Sequence, residues 1–545
     1  MAGLTGRRRT ALVTGAAAGL GSKFAESLAR RGFDLVLVDR QSQRIEALAA
    51  ELVQNFGIKA YPITQDLCEP AAAVNLCSAC DILGLSVDIL VNNAGLSLNK
   101  PLHQIPWPTI RDNMHLLLGV VVEMCHRFLP PMIERGWGRI INVSSVSGFM
   151  PGGMRLAIYN ASKAFLIPFS EGIGLELVGT GVQVTSLCPG FMKTEIFKSS
   201  GIADVADSVP PFMWSDPKQV AEEAIRAVMN NVPVRVSGVF NRLTVVASKF
   251  MPRALLRERT RFLHSTAHRS RPSGEPLADA RIERKSAALI TGASAGIGAS
   301  FSELLAHHGF DVILVARRGE VLERRAQALS SRYGVRTHTI IQDLTDPLAA
   351  ANIAAECERL GWTIEILVNN AGYPVTGIFH RMSWGEVNAS LSILVTSVVE
   401  LTYRFAKNML ERGSGKIINI ASIAAFQPGT YRSSLYTASK AFIVGFSESV
   451  AADLMGTGVT VTAVCPGFTK TEWFGKINHG SDAIPKSFLM ESNDVAKAGL
   501  EAAQRGAVVV VTATPLLKVL YILFRIAPRR MVAGALSKAR KRMDI

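Results

Sequence analysis

The chain carries one pattern twice. Gly15, Ala94, Ser145, Tyr159 and Lys163 recur 277 positions later as Gly292, Ala371, Ser422, Tyr436 and Lys440, with no net insertion or deletion between those points. A length of 545 residues would by itself suggest about three or four domains. The repeat overrides that expectation: it demands two units of one kind, each long enough to bury its own core.

Within each unit, short apolar runs alternate with helix-length amphipathic segments. The first unit reads ALVT, DLVLVD, VDILVNNA, RIINVSS and VQVTSLCP; the second reads AALIT, DVILVA, IEILVNNA, KIINIAS and VTVTAVCP. Unbroken Val/Ile/Leu runs separated by helices mark a parallel sheet covered on both faces. The fold class is therefore α/β, with two tandem doubly wound parallel-sheet domains whose ligands bind beyond the carboxyl ends of the strands. The stretch STAHRSRPSGEPLADARIERK is polar, contains Pro and Gly, lacks periodicity and reads as a linker. These features divide the chain into a first domain over 1–264, a linker over 265–285 and a second domain over 286–545.

A net charge of +15 raises the question of nucleic acid. The basic residues are spread along both units, however, and no zinc-finger or RNA-binding signature accompanies them. Two dinucleotide phosphate sites and a basic tail account for the charge, and no nucleic-acid partner is expected. Cys77 and Cys80 are close enough to suggest metal, but the second unit keeps only Cys357, opposite Cys80. They read as two helix thiols, with no metal site and a reducing, cytoplasmic compartment. The basic-then-apolar start, MAGLTGRRRTALVTG, is broken at Thr14-Gly15 and reads as a first strand rather than a secretory signal.

A glycine-rich loop follows the first strand of each unit and opens a helix. It holds Gly15, Gly19, Leu20 and Gly21 in the first unit, and Gly292, Ser294, Gly296, Ile297 and Gly298 in the second. Such glycines let the backbone approach a pyrophosphate, and the helix N-terminus supplies amide donors and a positive dipole end. At the end of the second strand the units part: Asp39-Arg40 in the first, Ala316-Arg317-Arg318 in the second. A carboxylate there accepts from a ribose 2′-hydroxyl and repels a 2′-phosphate, whereas an arginine pairs with that phosphate. The expectation is NAD with Asp39 in the first domain and NADP with Arg317 in the second.

Tyr159 and Lys163 are four residues apart and share one helical face, as do Tyr436 and Lys440. A neighbouring ammonium, helped by an oxidised nicotinamide ring, is expected to lower the tyrosine pKa and make it a usable acid/base. With Ser145 and Ser422 at the ends of the INVSS and INIAS strands, and with Asn92-Asn93-Ala94-Gly95 and Asn369-Asn370-Ala371-Gly372, each unit resembles the short-chain dehydrogenase/reductase family. The likeness covers nearly the whole chain apart from the linker.

That resemblance implies Rossmann-like domains and specific roles. Ser145 and Ser422 orient substrate. Tyr159 and Tyr436 serve as acid/base. Lys163 and Lys440 bind ribose and tune the tyrosine. Asn93 and Asn370 belong to the cofactor site, Asp66 and Asp343 contact adenine, and Thr194 and Thr471 hold the carboxamide. The family usually places an asparagine on the helix after N-N-A-G, where it anchors a water in a proton relay. Here Leu117 and Leu394 stand at that place, with Asn113 and Ser390 one turn earlier.

These features point to an NAD(P)-dependent oxidoreductase that interconverts a secondary alcohol and a ketone on an apolar substrate. The alternatives are one active unit beside a structural one, or a cofactor-binding scaffold without turnover. Phe212-Met213-Trp214 and Phe488-Leu489-Met490, read as helical, suit a greasy pocket or plain core. Near the C-terminus, Pro515, Lys518 and Arg525 interrupt an apolar run too often for it to span about 30 Å of bilayer. Two readings of this segment stand: a last strand and a cleft-lining helix, or an interfacial helix with a basic tail on anionic lipid, which would make the protein membrane-peripheral. By resemblance, units pair through helices beside the site, either between copies or, through the short tether, within one chain.

Overall fold

The computed structural model describes residues 8–192, 210, 213–257, 285–472 and 485–543. Most of the expected linker lies outside the described residues; its last residue, Lys285, already belongs to a strand.

The first unit builds strands β1 (Thr10–Thr14), β2 (Asp34–Asp39), β3 (Ala60–Thr64), β4 (Val87–Asn92), β5 (Gly138–Val143), β6 (Val182–Cys188) and β7 (Val234–Val236). The second unit repeats them as β8 (Lys285–Thr291), β9 (Asp311–Ala316), β10 (Thr337–Ile341), β11 (Trp362–Asn369), β12 (Gly415–Ile420), β13 (Val459–Pro466) and β14 (Val509–Thr512). Each set forms one seven-stranded parallel sheet, ordered β3-β2-β1-β4-β5-β6-β7 and β10-β9-β8-β11-β12-β13-β14. The order reverses beside β1 and β8, so each sheet has its crevice between the first and fourth strands, at the switch point where doubly wound sheets bind ligands.

The helices that matter for the site are α1 (Gly19–Ala29), α2 (Val120–Glu134), α3 (Ala157–Glu176) and α4 (Val239–Phe250) in the first unit. In the second they are α5 (Gly296–His307), α6 (Ser397–Arg412), α7 (Ser434–Asp453), α8 (Pro515–Ile526) and α9 (Arg529–Met543). Helices α3 and α7 pack against each other, and one continuous core passes through them from unit to unit. Small residues permit the close crossing. A Cβ on Gly172 would lie 2.7 Å from Ser434 Cα, nearer than real Cβ contacts allow.

Buried acids join the units reciprocally. Glu176 Oε2 accepts the Phe379 amide at 2.7 Å. Its counterpart Asp453 accepts the Leu102 amide at 3.3 Å and the Arg155 amide at 2.6 Å.

Two long apolar helical segments, 107–134 and 384–412, have the length and composition to cross a membrane, but both are mostly buried inside the protein. Each contains one π-helical turn, at His115–Gly119 and Ser392–Thr396. Residues Met213 and Trp214 do not extend a helix as expected: Trp214 pairs with Phe191 in a two-residue strand, and Phe212 lies outside the described residues. Likewise Phe488 closes a short 3₁₀ turn and Met490 bridges to Thr469. Cys77 and Cys80 share the helix Ala72–Ile82, where burial pushes their thiols up to about 12 and about 11.

Candidate active site

The glycine loops sit at the carboxyl ends of β1 and β8. In the first unit, Thr14 Oγ1 accepts the Asn93 and Ala94 amides at 2.9 and 3.1 Å and donates to Val91 O at 3.2 Å. The Asn93 side-chain amide donates to Thr14 O at 2.9 Å and Gly15 O at 3.3 Å. Asn370 repeats both contacts on Thr291 O and Gly292 O at 3.0 and 3.3 Å. These asparagine side chains therefore brace the loop from within. Space is tight: a Cβ on Gly21 would fall 1.9 Å from Gly15 O.

Helices α1 and α5 begin at Ala18 and Ala295, neither of which supplies a capping side chain, and neither helix has an acid in its first turn. Open amides at a helix start, free of negative charge and reached by glycine backbone, fit a pyrophosphate. Leu20 and Ile297 lie in these first turns. Thr471 reaches the loop, because a Cβ on Gly296 would meet its Cγ2 at 2.9 Å. Thr194 lies outside the described residues.

The ribose ends of the two loops differ. Asp39 Oδ2 accepts the Ala17 amide at 3.2 Å, which places the carboxylate on the loop itself. In the second unit Ala316 leaves that position empty of charge, and Arg318 fills it. Its guanidinium donates to Ser294 Oγ at 2.9 Å and to Glu472 at 3.0 Å. Arg317 turns instead to Asp343, at 3.6 Å. The arginine on the loop is thus Arg318, whose first-unit counterpart is Gln41; the sequence reading had favoured Arg317. Asp66 and Asp343 cap the turns after β3 and β10 by accepting the Cys68 and Thr345 amides at 2.9 and 3.0 Å.

The chemical end lies past β5 and β12. Ser145 and Ser422 are nearly buried, in extended backbone, and accept the Ser147 and Ala424 amides at 3.1 and 3.2 Å. Tyr159 and Lys163 lie on α3, Tyr436 and Lys440 on α7. The lysine Nζ is 5.5 Å from the Tyr159 ring centroid, and 5.6 Å in the second unit. Each ammonium donates to the last carbonyl of the neighbouring strand, Val143 O at 2.7 Å and Ile420 O at 2.9 Å. Burial pulls both lysines down to about 8.

Burial pushes both phenols above the ordinary value, while Ser145 and Ser422 pull them partly back. Tyr436 also feels the charge of Arg540 from α9.

A buried polar ladder, invisible to motif reading, aims these helices. Asn92 Nδ2 donates to Asn142 Oδ1 at 2.8 Å, and Asn142 Nδ2 donates to Ser170 Oγ at 3.0 Å. Asn369, Asn419 and Ser447 repeat it at 2.9 and 3.0 Å. Two adjacent strands and the helix packed on them are thus joined behind the tyrosine and lysine.

At the relay position, Leu117 and Leu394 lie in the π-helical turns and are buried. A Cβ on Gly95 would stand 2.9 Å from Leu117 Cδ2 and 3.9 Å from Lys163 Nζ, so leucine and ammonium flank one glycine. One turn earlier, Asn113 donates its amide to Leu96 O at 3.1 Å, while its Oδ1 is buried without a protein partner.

The fold and these sites define a tandem dinucleotide-binding α/β protein with a serine, a tyrosine and a lysine beyond each sheet. The family model for short chain dehydrogenases matches residues 9–204 and again 286–482, and the chain belongs to that family as an NAD(P)-dependent oxidoreductase with two tandem units. It is 38% identical over 209 residues to the serine 3-dehydrogenase of Rhizobium radiobacter, covering 37% of this chain and 79% of that protein. It is 33% identical over 194 residues to the very-long-chain 3-oxoacyl-CoA reductase of Anas platyrhynchos, covering 35% of this chain and 62% of that enzyme, less than two thirds of its length. Among solved structures, a short-chain dehydrogenase from Sphingobium yanoikuyae in complex with NADPH is 29% identical, with a TM-score of 0.39, covering 50% of this chain and 99% of that one.

Proposed function

We propose that both units interconvert a secondary alcohol and a ketone, and that the substrate is apolar, of lipid, steroid or acyl type. The observation that carries this reading is the convergence of serine, tyrosine and lysine at the same end of both sheets with the same hydrogen bonds. A nicotinamide cofactor held by the glycine loops would supply or accept the hydride. Ser145 and Ser422 hold the substrate oxygen. Tyr159 and Tyr436 give it a proton in reduction and remove one in oxidation. Lys163 and Lys440, fixed on a strand carbonyl, hold positive charge beside the phenol and toward the ribose. A phenol kept protonated by burial carries the proton that a carbonyl oxygen needs in the reductive direction.

Support for an apolar substrate comes from what covers the sheet ends. Leu517 of the apolar helix α8 packs on Gly467 over the turn after β13, while in the first unit the matching contact, on Gly190 after β6, is made by the polar Asn241 of α4. The name of the Anas platyrhynchos relative, a reductase of long acyl chains, points the same way. For cofactors, Asp39 on the first loop suits NAD and Arg318 on the second, with Arg317 beside it, suits NADP. We also propose that the two units act as an internal pair in one chain, the contact between α3 and α7 taking the place of a contact between copies.

Hydride transfer measured in Tyr159→Phe, Tyr436→Phe and the double variant tests the reading. Loss only in the double variant supports two working sites. Complete loss in one single variant leaves one working unit, and cofactor binding without turnover across a panel of apolar ketones leaves a scaffold.

A further inference from the structure

Among the described residues, two helices carry exposed apolar stripes. On α4, Leu243, Val246 and Phe250 are 62%, 51% and 63% exposed; on α8, Val519, Ile522 and Leu523 are 54%, 53% and 54% exposed. Exposed positions correspond between units at an offset of 276: Leu243 with Val519, Val246 with Ile522, Phe250 with Ile526. The two helices are tied end to end. The Arg525 guanidinium donates to Ser248 O at 2.9 Å and also to Met251 O. The C-terminal ends of the two striped helices therefore meet. Contiguous apolar surface of this kind marks an interaction site rather than ordinary surface.

We propose that α4 and α8 together lie on the headgroup region of an anionic lipid bilayer. Each helix has 12 residues, about 18 Å of length, too short to cross about 30 Å of hydrocarbon but suited to lying in its surface. Charge selects lipid over a second copy. Residues 239–257 and 515–540 hold no acid; Arg253, Arg257 and Arg529 pair with the buried Glu448 and Glu171, and the other basic residues carry the charge of these segments. Arg242, Lys518, Arg530 and Lys538 are exposed. Two such faces would repel each other, whereas anionic lipid attracts both. The buried sides of the same helices roof Gly190 and Gly467, so the bilayer would meet the protein where both sites open. The docking face stands independently of the substrate assignment.

The full chain is tested by co-sedimentation with vesicles of phosphatidylcholine alone and of phosphatidylcholine with phosphatidylserine. The expected result is binding to the mixed vesicles that weakens about tenfold or more on pure phosphatidylcholine or in high salt. The pair Leu243→Asp with Ile522→Asp abolishes binding while nucleotide affinity, read by fluorescence, stays unchanged. If the aspartate pair unfolds, Leu243→Ser with Ile522→Ser serves, with binding reduced several-fold. Wild-type protein that stays in the supernatant with every vesicle overturns the proposal. So does a concentration-dependent dimer that forms without lipid and is broken by the same substitutions.

Discussion

Arg529 donates two hydrogen bonds to Glu171, at 2.8 and 2.7 Å, across the boundary between the units. Arg253 does the same to Glu448 at 3.0 and 2.6 Å. Glu171 and Glu448 lie two turns beyond Lys163 and Lys440 on α3 and α7, so the closing segment of each unit braces the helix that carries the other unit's tyrosine and lysine. Each glutamate also accepts a backbone amide from the opposite unit: Gly429 at 3.0 Å on Glu171, Gly152 at 3.2 Å on Glu448.

Breaking one brace is expected to destabilise strongly. Glu448→Ala strands Arg253 beside a buried helix, with an expected loss of about 3–5 kcal/mol in denaturant unfolding. Replacing Glu448, Arg253 and Arg257 together with leucine should recover most of that loss, because both arginines that pair with Glu448 are then gone with it. An equal loss in the single and triple variants would show that these ion pairs contribute nothing beyond their volume.

Stability is expected to fall as pH rises. Burial raises Glu176 from 4.5 to about 8 and Asp453 from 3.8 to about 7. A carboxyl with a raised folded-state pKa binds more protons folded than unfolded, so its contribution is full below the unfolded value and is lost as pH climbs to the folded one. The melting temperature should therefore decline between about pH 4 and 8. Glu176→Gln with Asp453→Asn should flatten that decline, and an unchanged slope would assign it elsewhere.

Nucleotide choice should separate by unit. Arg318→Gln is expected to weaken NADP binding at the second site about tenfold or more while leaving NAD nearly unchanged. Asp39→Ala with Gln41→Arg should raise NADP affinity at the first. Calorimetric titration of each variant, with the other site disabled by its glycine-loop substitution, reads both effects.

The lysines should set an alkaline limb. With Lys163 and Lys440 near 8, the ammonium is lost as pH rises through that value, and ketone reduction should fall with it. Lys163→Arg with Lys440→Arg keeps charge at high pH. It should shift the limb upward while lowering the rate, by about a hundredfold, through the altered geometry. A limb that stays in place would assign it to another group.

The repeat, the buried strands and the serine, tyrosine and lysine were legible because each has a periodic or fixed-spacing signal. The third strand of each unit was not. β3 and β10 are edge strands, only partly buried, and β3 contains Pro62, which an edge tolerates. The Asn92–Asn142–Ser170 ladder and the acids Glu176 and Asp453 gain their roles from partners 28 to 351 residues away, which no local pattern reports. Arg318 lay in view beside Arg317, but only the backbone course after β9 decides which guanidinium meets Ser294. The burial of the tyrosines is non-local in the same way: spacing locates the ammonium, while desolvation depends on everything packed around the ring.

The contact between α3 and α7 has a further consequence. Two separately made subunits with unlike nucleotide pockets would exchange partners, and a mixture would hold like pairs as well as mixed ones. Joined in one polypeptide, the Asp39 half always meets the Arg318 half. Their stoichiometry is set at synthesis, and each can drift in sequence without losing its mate.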